Sequence, residues 1–252
     1  MFDTESIKQD FGHAAGGYDA SAHLQKRVRA HCLEMARNIY PSGVTILDAG
    51  SGTGTLAQEA PQWHIVALDL AFGMCAEAKK QVSTVNADAA SMPFADASFG
   101  GIFSSLMLQW SNDVRATLRE MLRVLKPEGR VLLSTLTQGT LKELQESFAA
   151  VDDAPHVSAF LGAPEVAAYA VHMGFRILSI EETTITEYYP DATSLMQSLK
   201  AIGAGNKQAD RRKGLTPPGY MEKMQSAYAK RFGSKKGLPA TWKILYLMME
   251  KP

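Results

Sequence analysis

The chain has 252 residues, 46% hydrophobic and 21% charged, which suits one sizeable core with elaborations better than two independent ones. Twenty-six Lys and Arg balance 26 Asp and Glu, which excludes a surface built throughout to coat nucleic acid or membrane. Cys32 and Cys75 are too few for a disulfide scaffold and lack zinc-ligand or redox spacing, the start Met1-Phe2-Asp3-Thr4-Glu5 is acidic where a signal peptide is basic, and no apolar run approaches the roughly 18 residues that span a bilayer; a soluble, cytoplasmic protein is expected.

The first 40 residues have helical periodicity and are expected to cover a site formed further along. Val44 to Asp48 is a short β-prone run, followed by the glycine loop Ala49-Gly50-Ser51-Gly52-Thr53-Gly54 and a helix-compatible stretch to Ala60. A second strand, Ile65 to Leu68, ends in Asp69, with a helix expected from Phe72 to Lys80. A third, Val82 to Val85, leads to Asn86-Ala87-Asp88. Then come a strand from Phe99 to Ser105, an amphipathic helix from Asp113 to Leu125 stopped at Lys126-Pro127-Glu128-Gly129, and a strand from Arg130 to Ser134. Pro164 to Met173 reads as a helix, Phe175 to Tyr189 as strand, and Trp242 to Met249 as a closing strand.

Alternating strands and helices predict an α/β fold: a doubly wound, mostly parallel, seven-stranded sheet of Rossmann-like type that binds its ligand at the carboxyl ends of the strands. The expected organisation is one unit: a helical cover over 1–42, a core over 43–189 and 240–252, and a helical insertion over 190–239 before the last strand. Charge is uneven across it. Between Gln197 and Lys243 eleven basic residues face only Asp210 and Glu222, a net of +9, so the remainder carries −9 and the insertion implies a local, negatively charged partner.

Glycine at 50, 52 and 54 lets the loop turn sharply and approach a ligand closely. The spacing is not the G-x-G-x-x-G of a dinucleotide fingerprint, and Asp48 beside the loop repels a pyrophosphate and attracts a cation, which argues against a nicotinamide dehydrogenase. Asp69, ending the second strand, is placed to accept from both hydroxyls of a ribose, and Asp88, after the third, from an adenine amino group. Three acids in order after three strands fit S-adenosylmethionine, its amino group near Asp48. The cofactor site is thus expected at Asp48, Gly50, Gly52, Gly54, Asp69 with Leu70, Asp88 with Ala89, and Ser105. The six histidines are scattered without metal-ligand spacing, so His13, His23, His31, His64, His156 and His172 read as structural or surface residues, and no metal is expected.

Ile46 to Gly54 with Asp69 and the run Met121-Leu122-Arg123-Val124-Leu125-Lys126-Pro127-Glu128-Gly129 resembles a class I methyltransferase. Phe11 to Asp19, Leu106-Met107-Leu108-Gln109-Trp110, Thr135 to Leu141 and, inside the insertion, Ser198-Leu199-Lys200-Ala201-Ile202-Gly203-Ala204 resemble the malonyl-[acyl-carrier protein] O-methyltransferases of biotin synthesis. The resemblance implies methylation of the free carboxylate of a malonyl thioester, with an acyl carrier protein as partner and neither nucleic acid nor membrane. Two positions depart from it: Phe99-Gly100-Gly101 replaces the usual Phe-Asp start of the fourth strand, and Ser105 stands where Asn is frequent.

A carboxylate is already ionised at neutral pH, so no general base is expected and the enzyme's work is alignment and desolvation. Tyr18 in the cover, Gln109 and Trp110 beyond the fourth strand, and Lys200 as counter-charge are the candidates for holding the acceptor. A guanidinium fork would grip both oxygens too firmly, so Arg211 and Arg212, with Lys207 and Lys213, are read as a docking surface for the carrier protein. The competing readings are a methyltransferase for a small carboxylic acid or quinone precursor, and a cofactor-binding protein that stacks RNA on Tyr220, Tyr228 and Phe232 of the insertion.

Overall fold

The computed structural model describes residues 2–206 and 219–252. One seven-stranded sheet organises them, in the order β3-β2-β1-β4-β5-β7-β6, with β1 Thr45–Ala49, β2 His64–Asp69, β3 Ser83–Asn86, β4 Phe99–Ser105, β5 Leu125–Leu136, β6 Arg176–Tyr189 and β7 Leu238–Glu250. The first five are parallel to their neighbours, and β7 runs antiparallel between β5 and β6. This is the Rossmann-like architecture that the strand–helix alternation predicts.

Successive side chains of a strand point to opposite faces, and the central strands use both. Ile46, Phe103, Leu132 and Tyr246 enter one core, whereas Leu47, Ile102, Leu133 and Leu247 enter the other. On the first face lies α3 His23–Arg37, which buries Leu24, Val28, Cys32 and Ala36 at four-residue spacing. On the second lies α6 Val114–Val124, capped by the Asp113 side chain on the Ala116 amide and burying Leu118, Met121 and Val124.

Ahead of α3 the cover continues as α1 Thr4–Ala14 and α2 Tyr18–Ser21. After β1 and β2 come α4 Leu56–Glu59, a single turn, and α5 Phe72–Ala78. Beyond β5 lie α7 Lys142–Ala149, which the sequence pattern does not announce, and α8 Ala163–Met173. The insertion holds α9 Ala192–Ala201 and α10 Tyr220–Phe232. Tyr220 and Tyr228 are buried and Phe232 packs against the same core, so the three rings face the protein rather than offering a stacking platform.

Two expectations are corrected. The Lys126–Gly129 run does not separate helix from strand: β5 begins at Leu125, pairs with Phe99, and rejoins β4 at Gly101↔Arg130, so the run bulges out of a continuing strand, with Glu128 at φ 59°. The closing strand starts at Leu238 and not at Trp242, since Leu238 to Thr241 pair with Tyr189 to Thr186. Both glycines of the unusual Gly100-Gly101 pair sit in tight quarters: a Cβ on Gly100 would lie 2.5 Å from Val44 Cγ2. A Cβ on Gly101 would lie 2.6 Å from the Tyr40 ring, and the Tyr40 hydroxyl donates to the Ile102 carbonyl (2.5 Å) and accepts from the Leu132 amide (2.9 Å), bridging β4 and β5.

Candidate active site

At the carboxyl end of β1 the chain turns through Gly50, Gly52 and Gly54, all at positive φ. The Gly50 and Ser51 amides donate to the Leu68 carbonyl at 2.8 and 3.0 Å, which ties the loop to the end of β2. Gly52 faces open space, whereas a Cβ on Gly54 would meet Ala78 of α5 at 2.9 Å. Gly50 and Gly52 line a cavity of about 350 Å³; Gly54 does not, and its missing side chain serves helix packing.

The same cavity gathers Asp69, Leu70, Asp88, Ala89, Ser105, Gln109, Trp110 and Tyr18. Asp69 accepts from the Gly52 amide on Oδ2 (2.9 Å) and from the Ala71 amide on Oδ1 (2.8 Å), and each oxygen keeps a lone pair for a ligand. Burial pushes its carboxyl up to about 6, against the pull of those amides. Asp88 Oδ1 accepts from the Ala90 amide at 2.8 Å, a turn contact that leaves its other oxygen available. Tyr18 is half-buried, and desolvation, with Asp69 nearby, raises its phenol far above the ordinary value, so its hydroxyl stays a donor. Trp110 is fixed by Phe11 and Phe2, with ring centroids 5.4 and 5.8 Å away. Ser105 accepts from the Ser134 hydroxyl at 3.3 Å.

Other expectations fall differently. Gln109 lines the cavity, but its amide donates to the Leu106 carbonyl (2.6 Å) and accepts from the Thr135 hydroxyl (2.9 Å), so it is a wall braced across β4 and β5. Asp48 is 4% exposed and lies behind the lining; burial pushes it up to about 7, Arg29 pulls it down, and Asp69 and Glu59 oppose Arg29. Lys200 is exposed and outside the cavity, because α9 turns Leu195 and Leu199 inward and Lys200, one residue on, falls about 100° round the helix. Lys207, Arg211, Arg212 and Lys213 lie outside the described residues.

Three residues at the site escaped the sequence reading. Asp19 of α2 accepts from the Thr53 hydroxyl at 3.0–3.1 Å and latches the cover onto the glycine loop. Arg29 grips Glu59 through two bonds of 2.7 and 2.9 Å. Gln25 lines the cavity, and its Oε1 is buried without a hydrogen-bond partner among the described residues. A lone buried acceptor is costly unless a ligand supplies the donor. With that atom, the spare lone pairs of Asp69 and the apolar flank of Leu70, Ala71, Met74 and Ala89, the residues fit S-adenosylmethionine.

A family model described as a methyltransferase domain matches residues 47–133. A malonyl-[acyl-carrier protein] O-methyltransferase of Gallionella capsiferriformans is 37% identical over all of this chain and 92% of its own length. The biotin biosynthesis bifunctional protein BioHC of Cellvibrio japonicus is 38% identical over 99% of this chain, which spans about half (51%) of that longer protein. Among solved structures, the Bacillus YcgJ protein superposes with a TM-score of 0.64 at 20% identity, covering 88% of this chain and 98% of that one. The Haemonchus contortus phosphoethanolamine N-methyltransferase 2, solved with S-adenosylhomocysteine, gives 0.55 at 20% identity over 88% and 53%. At such identities the two structures speak for the fold, whereas the end-to-end relatives speak for the family. The chain belongs to the class I S-adenosylmethionine-dependent methyltransferases and is related, within them, to the malonyl-[acyl-carrier protein] O-methyltransferases.

Proposed function

We propose that this enzyme methylates the free carboxylate of a malonyl group carried as a thioester on acyl carrier protein, an early step toward the pimeloyl chain of biotin. The observation that carries this reading is likeness along the whole chain, cover and insertion included, to a protein named for that reaction. S-adenosylmethionine, when bound, supplies an electrophilic methyl group whose bond to sulfur breaks, with its electron pair, as a bond to an acceptor oxygen forms. An ionised carboxylate has no proton to lose, so the side chains bind and orient rather than shuttle protons. Asp69, Asp88 and Gln25 hold the nucleoside side, and Asp48 lies behind the glycine loop as a counter-charge for an ammonium group. Tyr18, Trp110 and the apolar Leu199 and Ile202 close the acceptor side and exclude water.

Mass spectrometry of malonyl-carrier protein after incubation with enzyme and S-adenosylmethionine tests the reading. A gain of one methylene unit is expected on the carrier-bound acid, and little on free malonate or on quinone precursors. Turnover of the free acids with none on the carrier would replace the reading with that of a small-molecule methyltransferase.

A further inference from the structure

Among the described residues, the charged lining of the cavity is mostly acidic. Asp69, Asp88 and Asp113 line it, and among the described residues that do so His156 is the sole side chain able to carry positive charge. An acceptor carboxylate that leaves water for this space needs a donor or a cation, since its desolvation otherwise outweighs binding.

His156 is built into the wall from two elements. It follows α7, stacks on Phe148 with ring centroids 4.0 Å apart, and sets Nε2 2.7 Å from Asp152 Oδ1. The Tyr220 hydroxyl, at the start of α10, lies 2.8 Å from Asp152 Oδ2 and 2.8 Å from His156 Nε2. Burial works the other way, yet the His156 and Tyr220 bonds hold the Asp152 carboxyl below its ordinary range, so Asp152 stands as an ionised acceptor beside Nε2. With Nε2 engaged, Nδ1 is the nitrogen left for a ligand. Sheet order separates it from the nucleoside side: Asp69 and Asp88 follow β2 and β3, whereas α7 packs on β7, across the β1–β4 pair.

Resting on the proposed carboxylate acceptor, we infer that His156, positioned by Asp152 and Tyr220, binds the acceptor's free carboxylate through Nδ1–H and selects ionised over neutral acceptors. One N–H engages one oxygen and leaves the other to attack, which a guanidinium fork would not. The methyl ester formed carries no charge, so the charge-assisted bond is lost and the product is released.

The test is H156Q, whose amide reaches toward Asp152 as Nε2 does but offers no donor at Nδ1. KM for malonyl-carrier protein is expected to rise about 10- to 100-fold, the loss of one charge-assisted hydrogen bond, with cofactor Kd within about twofold. Inhibition by the neutral methyl-ester product separates binding from structure: the wild-type preference for acid over ester should collapse in the variant, whereas a merely structural loss would weaken both alike. H156N, which keeps a neutral donor near Nδ1, should fall between the two and serves if H156Q does not fold. If the wild type methylates no carboxylate acceptor, the functional reading fails and this inference with it. If the wild type is active and the variants keep the acid-over-ester preference, the inference alone is overturned and the counter-charge lies elsewhere.

Discussion

Burial raises the Asp48 carboxyl to about 7 and the Asp69 carboxyl to about 6, each well above the usual carboxylate range. A carboxyl raised on folding adds stability that is fully present below its unfolded value and is lost as pH climbs through its folded one. The free enzyme should therefore lose melting temperature between about pH 4 and 7 on account of these two groups. D48N should melt higher than wild type at pH 8 and not at pH 4; identical curves would mean that Asp48 is not destabilised by burial. If Asp48 and Asp69 meet S-adenosylmethionine as proposed, binding draws on their ionised forms, so affinity should rise up to about pH 7 and calorimetry in buffers of different ionisation enthalpy should register proton release. D69A should weaken cofactor binding by about 1.5–3 kcal/mol, the usual loss for hydrogen bonds to a charged group. Unchanged affinity would remove Asp69 from the ribose. Once cofactor and acceptor both saturate, single-turnover rates should be nearly flat from about pH 6 to 8.5, because no proton leaves the acceptor in the chemical step.

At the scale of elements, α1 of the cover is held in part by close backbone approach at glycines. A Cβ on Gly73 of α5 would lie 2.4 Å from the Gly12 carbonyl oxygen and 2.7 Å from its Cα, and one on Gly203, beyond α9, would lie 3.0 Å from the Asp10 carbonyl. Core and insertion thus approach α1 from two sides, and Ile7 and Phe11 of α1 line the cavity. G73A should cost about 1–3 kcal/mol in urea denaturation, as overpacking does, and should raise the cofactor Kd as α1 lifts. A variant with wild-type stability and affinity would show that α1 is no part of the closed site. Such contacts separate what the sequence reveals from what it hides. The strands, the glycine loop and the order of Asp48, Asp69 and Asp88 are local patterns of alternation and turn chemistry, and they are legible. The partner of Gly54 is a helix 24 residues on, at Ala78, and the inward face of α9 is set by Leu195 and Leu199 entering a core built from distant strands. His156 owes its place to Asp152 and to Tyr220, 64 residues away. A reading from local spacing therefore gives Gly54 to the ligand, Lys200 to the acceptor and His156 to a structural or surface role.

Over the whole molecule, the net of +9 between Gln197 and Lys243 against −9 elsewhere is a charge separation that neutrality conceals. Lys200, Lys223, Lys230, Lys235 and Lys236 are all exposed, and Arg231 is partly neutralised by Glu146 at 2.5 Å. If the partner is the acyl carrier protein proposed above and its surface is acidic, a field of this kind raises the rate of encounter more than it tightens the final complex, and it is screened beyond about 8 Å at physiological salt. The kcat/KM for carrier-bound substrate should therefore fall as salt is added, while the cofactor, held in the core, responds little. Reversing Arg211, Arg212 and Lys213 to Glu should lower kcat/KM at low salt by roughly tenfold or more, with cofactor affinity within about twofold, and added salt should narrow the gap to wild type. Reversal of Lys223 and Lys230, on exposed positions of α10, gives a second patch for comparison. A loss confined to the first set would locate docking at residues 211–213, and a loss shared by both would make it a property of the whole basic face. Normal turnover at low salt in both variants would mean that these charges are merely solvated and that the carrier approaches from another side.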